Sequence, residues 1–466
     1  MEDGQAFFAQ GNFAPIGTEN DVADLPVRGR IPDGLRGTLF RNGPNPQFPP
    51  ADPAHHHWFL GDGMVHAFTL RDGKVGWRNR WVRTDKWQAE HAAGRALASG
   101  FGGGRALGIP DTGVANTAFA WHAGRLLALE EAHLPWSLDP ATLETLGVER
   151  FGSLTGPFTA HPKTDPVTGE LVFFGYSAGG PLSPAMRWGT LSRTGEVTRD
   201  ERFPVDYCAM VHDFAVTANH VLFPLMPLTG SLGRAMRGGP VFAWEPDLGG
   251  QVGLLRRDAG IASLRWFRAE ACYAFHVLNA WEDAGGRVLA DVMEFAAPPL
   301  FPRADGSPSP REATEGRLTR WTLDPAAGTD AFRRERLDEM SGEFPRCDER
   351  RSGLPNRHGV FMGRGHAGDG LPMLDTVVWC DLASGGRARF AVPPGDALSE
   401  AVFVPRGAEA PEGDGWLLTV AWRAAEGCSE LLVLDTQDVP AGPVATVRLP
   451  ERIPHGFHGA WVPAAA

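Results

Sequence analysis

Short apolar runs of five to nine residues punctuate the chain, among them LVFFGY from Leu171, HVLFPLM from His220, RVLADVMEF from Arg287, TVVWC from Thr376, GWLLTVAW from Gly415 and ELLVLD from Glu430. Glycine, proline and aspartate bound them, and apolar runs of that length between turn formers predict strands rather than helices. A motif echoes through the chain: PWSLDPATL from Pro135, RWTLDPAAG from Arg320, VWCDLASGG from Val378 and LVLDTQD from Leu432. Each is an apolar strand that reaches an Asp-led turn and starts back. Such repetition predicts the blades of a propeller or another repetitive β architecture. Helical pattern is scarce. DKWQAEHAAGRALA, Asp85 to Ala98, predicts one helix, and TGSLGRAMRG a short second one.

The 58 glycines and 39 prolines are spread along all 466 residues, and no linker or change of composition divides them. A single domain, 1–466, is therefore expected. The net charge of −12 disfavours nucleic acid, which rewards a basic face. No apolar run reaches the length needed to span a bilayer, and the first residues have no basic and apolar leader pattern. Peripheral membrane contact stays open, as does the oligomeric state. The five cysteines stand far apart with no CxxC pair, which fits a reducing cytoplasm and argues against a thiolate metal site.

Four of the fifteen histidines adjoin strand-like apolar runs: His161 in FTAHPKTDP, His212 in AMVHDFAVT, His276 in YAFHVLNAWED and His458 in HGFHGAW. Any one alone reads as a satisfied core residue. Their wide separation rules out a helical metal motif, but a closed propeller could bring them to one axis. Four neutral imidazoles would then suit iron, copper or zinc. The HHH at His55 to His57 lies beside FPPADPA and reads as a loop, a weaker ligand candidate.

The blocks RGTLFRNGPNP, GDGMVHAF, TAHPKTDPVTGEL, VHDFAVT, FHVLNAWE, EFPRCDER, SEAVFVPR and GFHGAWVP together resemble the carotenoid cleavage oxygenase family, from about residue 15 to the C-terminus. MPLTGSLGRAMRGGPVFAWEPDLGG is more like its bacterial lignostilbene and isoeugenol branch. The resemblance implies an all-β fold, a seven-bladed β-propeller with a loop-and-helix cap over the active-site face. It implies Fe(II) held by His161, His212, His276 and His458. It further implies three carboxylates behind the ligands, Glu131 for His212, Glu343 for His276 and Glu400 for His458, each accepting the outer N–H of an imidazole. In LEEA the motif selects Glu131, and a strand would point only one of the two glutamates inward. Thr117 matches a threonine that borders an open iron position in several family members.

The implied chemistry is oxidative scission of a conjugated C=C bond with O2 to two carbonyls. The leading substrate is a stilbenoid or phenylpropenoid. An apocarotenoid is the alternative within the family, and a non-catalytic ligand-binding propeller the alternative outside it. The branch's usual phenol-holding lysine and tyrosine are replaced by Glu130 and, by a gapped alignment, Phe101. Phe59 and Phe301 are candidate aromatic walls. His455 and His458 would face opposite sides of a strand, and the GFHG block assigns the metal to His458.

Overall fold

The computed structural model describes Phe8 and residues 10–50, 56–97, 108–366 and 373–464. Contacts divide the chain into two compact units, Met1–Ala160 with Phe390–Ala466, and His161–Arg389.

The first unit holds three sheets. In one, Asp21–Val22, Lys74–Trp81, Gly63–Arg71, Gly37–Pro44 and Gly459–Pro463 lie side by side. The C-terminal strand thus closes onto a strand from the start of the chain, with Arg41 opposite Gly459. A second sheet takes Ala118–His122, Arg125–Leu129, Trp136–Leu138 and Thr145–Val148 in sequence order. The third has six strands, including Gly415–Arg423 and Cys428–Asp435. The second unit holds four sheets of four strands and a small two-stranded ribbon. The four-stranded sheets begin with Lys163–Thr164, Ala215–Val216, Tyr273–Glu282 and Gly342–Cys347.

Position in the sheet explains the sequence pattern. Leu171–Tyr176 is buried at every residue; Ala185–Leu191 pairs along its whole length and Lys163–Thr164 along its first two residues. The outer strand Val197–Pro204 alternates between half-buried and exposed over most of its length, as an edge with one solvated face must. The echoed aspartates cap turns. Asp139, Asp324 and Asp381 each accept two backbone N–H groups from residues two and three positions on, and Asp435 accepts one from Gln437. An Asp side chain that bonds its own following backbone fixes the turn locally. The recurring motif is therefore a turn device, present once per strand pair that carries it.

The first predicted helix forms over Asp85–Ala93, shorter than expected. Thr84 caps it by accepting from the Trp87 N–H, and Gly94 ends it at φ 65°, a left-handed conformation that suits glycine. Lys86 on this helix sits between Asp62 and Glu90, 2.8 Å from each, so its buried ammonium is neutralised. The second helix is Leu232–Met236, as expected. The cysteines are all free. Burial pushes the thiols of Cys347 and Cys380 up to about 12, so they act as small apolar side chains. Among the described residues no helix is long and apolar enough to cross a membrane.

Candidate metal centre

In the second unit each expected ligand lies at or near the start of the first strand of its sheet. His161 stands two residues before Lys163–Thr164, His212 three before Ala215–Val216, and His276 within Tyr273–Glu282. First strands carry three chemically identical side chains to one place. The candidate ligand nitrogens of the three lie within 4.8 Å of one another. Ring centroids are 4.8 Å apart for His161 and His212, 5.1 Å for His161 and His276, and 5.0 Å for His212 and His276. His212 and His276 are buried, His161 half-buried.

The donor chemistry fits a divalent metal. Nε2 of His161 is 3.1 Å from Nε2 of His212. Imidazole nitrogens bind such metals at about 2.0–2.1 Å, so two at a right angle stand about 3 Å apart. Nδ1 of His276 donates to Glu343 Oε2 at 2.6 Å, which places the proton on Nδ1 and the lone pair on Nε2. Glu343 also accepts the N–H of Phe344, whose backbone is left-handed at φ 56°. The ladder register shifts between Glu343 and Arg346, a bulge that turns the carboxylate toward the histidine. The Phe344 ring stacks on His276 at 5.5 Å.

In the first unit, His458 is mounted in the same way. Its Nδ1 donates to Glu400 Oε1 at 2.8 Å, and Glu400 Oε2 accepts from the Gly459 N–H at 2.7 Å. Both side chains are buried. The stretch from Arg452 to His458 is not a strand; the strand begins at Gly459. Alternation along a strand therefore does not separate the two histidines, correcting the sequence argument. Their partners do. His455 Nδ1 lies 3.3 Å from the Asn12 amide and its ring packs on Phe13, and burial followed by Arg41 and Arg452 pushes its pKa down to about 3.

A residue missed in the sequence holds this mount. Asn42, fully buried, donates its backbone N–H to the His458 carbonyl at 2.9 Å and accepts from the Phe457 N–H at 3.0 Å. Its side-chain amide donates to the Ala115 carbonyl at 2.9 Å. The Thr117 carbonyl in turn accepts the His458 N–H at 3.2 Å. Gly43 and Gly456 permit this approach, since a Cβ on Gly43 would meet the Gly456 Cα at 2.7 Å. The RNG of the motif block was the available signal.

Thr117 is half-buried and its hydroxyl donates to Asn116. Glu131 is half-buried in the bend after Arg125–Leu129, outside any strand, so the alternation argument does not apply to it either. Glu130 accepts the N–H groups of Val114 at 2.5 Å and Ala115 at 2.9 Å, and its other oxygen lies 3.3 Å from His133. Burial raises its pKa against the pull of His133. Phe59 sits edge-on to Phe457, the neighbour of His458, at 5.5 Å. Phe301 is buried 6.5 Å from Phe275, which itself lies edge-on to His212 at 5.4 Å. Phe101 lies outside the described residues, as does His55. His57 accepts from the Phe59 N–H and serves as a cap for Trp58–Leu60.

The chain matches the family profile described as retinal pigment epithelial membrane protein over residues 13–463. It is 40% identical to an isoeugenol monooxygenase of Pseudomonas nitroreducens, covering 97% of each chain. Its structure is similar to that of a lignostilbene dioxygenase of Pseudomonas brassicacearum, with TM-score 0.95, 36% identity and 99% of both chains covered. A variant of Synechocystis apocarotenoid oxygenase gives TM-score 0.84, 30% identity and 97% coverage of both. With a match of that extent, the fold class of the chain is the seven-bladed β-propeller.

Proposed function

Because the chain belongs to the retinal pigment epithelial membrane protein family, the carotenoid cleavage oxygenases, we propose that it is an Fe(II)-dependent oxygenase that splits a conjugated C=C bond of an aryl alkene into two carbonyl fragments. The observation that carries this reading is the convergence of His161, His212 and His276, with Glu343 fixing the third. His458, fixed by Glu400, is assigned as the fourth ligand on the family pattern. Glu131 is assigned to His212 on the family pattern.

Iron(II), when bound, supplies the site at which O2 is activated. The residues of the chain supply the rest. Glu343 and Glu400 hold their imidazoles in the tautomer that presents Nε2, and their charge raises imidazole basicity. Ligands that are all neutral leave the metal its full positive charge. Phe344 beside His276 and Phe275 beside His212 offer aromatic surfaces to a flat conjugated substrate, and Phe301 extends the one at Phe275. In the other unit Phe59 and Phe457 offer an aromatic pair next to His458. Thr117 is assigned to the border of the open position. Scission of RCH=CHR′ by O2 to RCHO and R′CHO balances with the electrons of the double bond alone. No reductant is required, and no side chain need give or take a proton.

The aryl-alkene reading is favoured over an apocarotenoid because the lignostilbene structure aligns more closely than the apocarotenoid one. Glu130, engaged by Val114, Ala115 and His133, fits better as a loop anchor than as the phenol clamp its position suggests. The site is tested by metal analysis. Wild-type chain loaded anaerobically with Fe(II) and desalted is expected to retain about one iron per chain. Retention of none overturns the iron reading.

A further inference from the structure

Each of the three histidine-bearing segments of the second unit is tied to one carboxylate that binds no histidine. Asp213 directly follows His212 and is 2% exposed. Its Oδ1 is 2.7 Å from the ammonium of Lys163, two residues after His161. Its Oδ2 accepts the backbone N–H of Val277, directly after His276, at 2.9 Å. Oδ1 also accepts the Phe214 N–H at 2.8 Å, which fixes the carboxylate on its own backbone.

The free valence on Val277 has a structural origin. The ladder between Tyr273–Glu282 and Val288–Phe295 shifts register between Ala274 and Val277 and again between Val277 and Asn279. A shift of register takes backbone groups out of the ladder, and a buried N–H then needs another acceptor. Asp213 is that acceptor. Its charge is answered by Lys163, which also lies over the Phe214 ring at 5.9 Å. A buried carboxylate with three charge-assisted bonds is held in one place.

We propose that Asp213 is the positioning residue of the metal centre: it fixes the relative placement of His161, His212 and His276. The inference rests on the reading of those histidines as ligands. Three imidazoles from three blades must meet a metal to within about 0.5 Å. Neighbouring sheets also meet through main-chain contacts, such as that of Arg268 with Asp330 and Ala331, but Asp213 links all three histidine-bearing segments within two residues of the ligands. The side chain touches neither substrate nor metal and acts only through the histidines.

The test is Co(II) binding to metal-free wild type, Asp213→Asn, Asp213→Ala, Lys163→Met and the control Asp291→Asn, following affinity and the visible Co(II) spectrum. Asp291 is also fully buried and ion-paired, at 2.7 Å to Arg320, in the same unit, so its loss matches the structural damage. Asp213→Asn is expected to weaken Co(II) binding by about tenfold or more and to change the spectrum, with Asp213→Ala worse and Lys163→Met in the same direction. Asp291→Asn is expected to lower thermal stability while keeping the affinity and spectrum of wild type. Affinity within twofold of wild type and an unchanged spectrum in Asp213→Asn overturn the proposal, as does an equal loss in Asp291→Asn. Failure of both Asp213 variants to fold while Asp291→Asn folds assigns Asp213 to the fold and also overturns it. If wild type itself binds no Co(II), the ligand reading fails first, and the positioning role falls with it.

Discussion

His458→Ala is expected to leave the folded chain without stably bound iron and without measurable alkene cleavage, whereas His455→Ala keeps close to the wild-type iron content. The two residues are three apart in one irregular segment, so composition and location are nearly matched. Their surroundings differ. His458 Nδ1 donates to Glu400, which is fixed in turn by the Gly459 N–H, so the imidazole is tethered through one nitrogen and presents the other. His455 is packed against Phe13 and Asn12 and held neutral by burial. Removing an imidazole ligand removes a bond to the metal; removing His455 costs packing. Metal analysis of both variants after anaerobic loading separates them. Equal iron loss in the two would show that the segment matters only as a whole, and full retention in His458→Ala would remove it from the ligand set.

Glu343→Ala is expected to lower metal affinity by about 10–100-fold, the usual cost of losing a carboxylate behind a ligating histidine. The effect has two sources. His276 loses the acceptor that fixes its tautomer, and the part-buried Phe344 N–H loses its partner while its backbone remains left-handed. Glu343→Gln retains an acceptor without the charge, so its loss is expected to be smaller. Competitive titration of the metal-free proteins against a chelator reads both values. Equal affinity of Glu343→Ala and wild type would make the contact a packing feature.

The strand content and repeated turns were legible because both depend on neighbours in sequence. Apolar runs read as strands, and each echoed aspartate caps its own turn. The helix was expected to run past Gly94 because the alanine-rich composition beyond it looked helical, while one left-handed glycine decides where the helix stops. The convergence of the histidines was not legible from spacing. It depends on which strand comes first in each sheet, and only the resemblance of whole motif blocks to a known family identified the set. Asn42 and Asp213 escaped for the same reason. Asparagine beside glycine and aspartate beside histidine look like turn formers, and their roles rest on backbone groups more than sixty residues away. Strand alternation does not orient Glu131 or His455, because neither lies in a strand.

Alkene scission is read out by incubating iron-loaded wild type with O2 and a panel of stilbenoids, phenylpropenoids and apocarotenoids, with no reductant, and identifying both fragments by mass. The expected result is O2-dependent release of two matching carbonyl products from an aryl alkene, with apocarotenoids cleaved poorly or not at all. Cleavage confined to apocarotenoids would contradict the substrate class, and no cleavage of any member would contradict the enzyme itself.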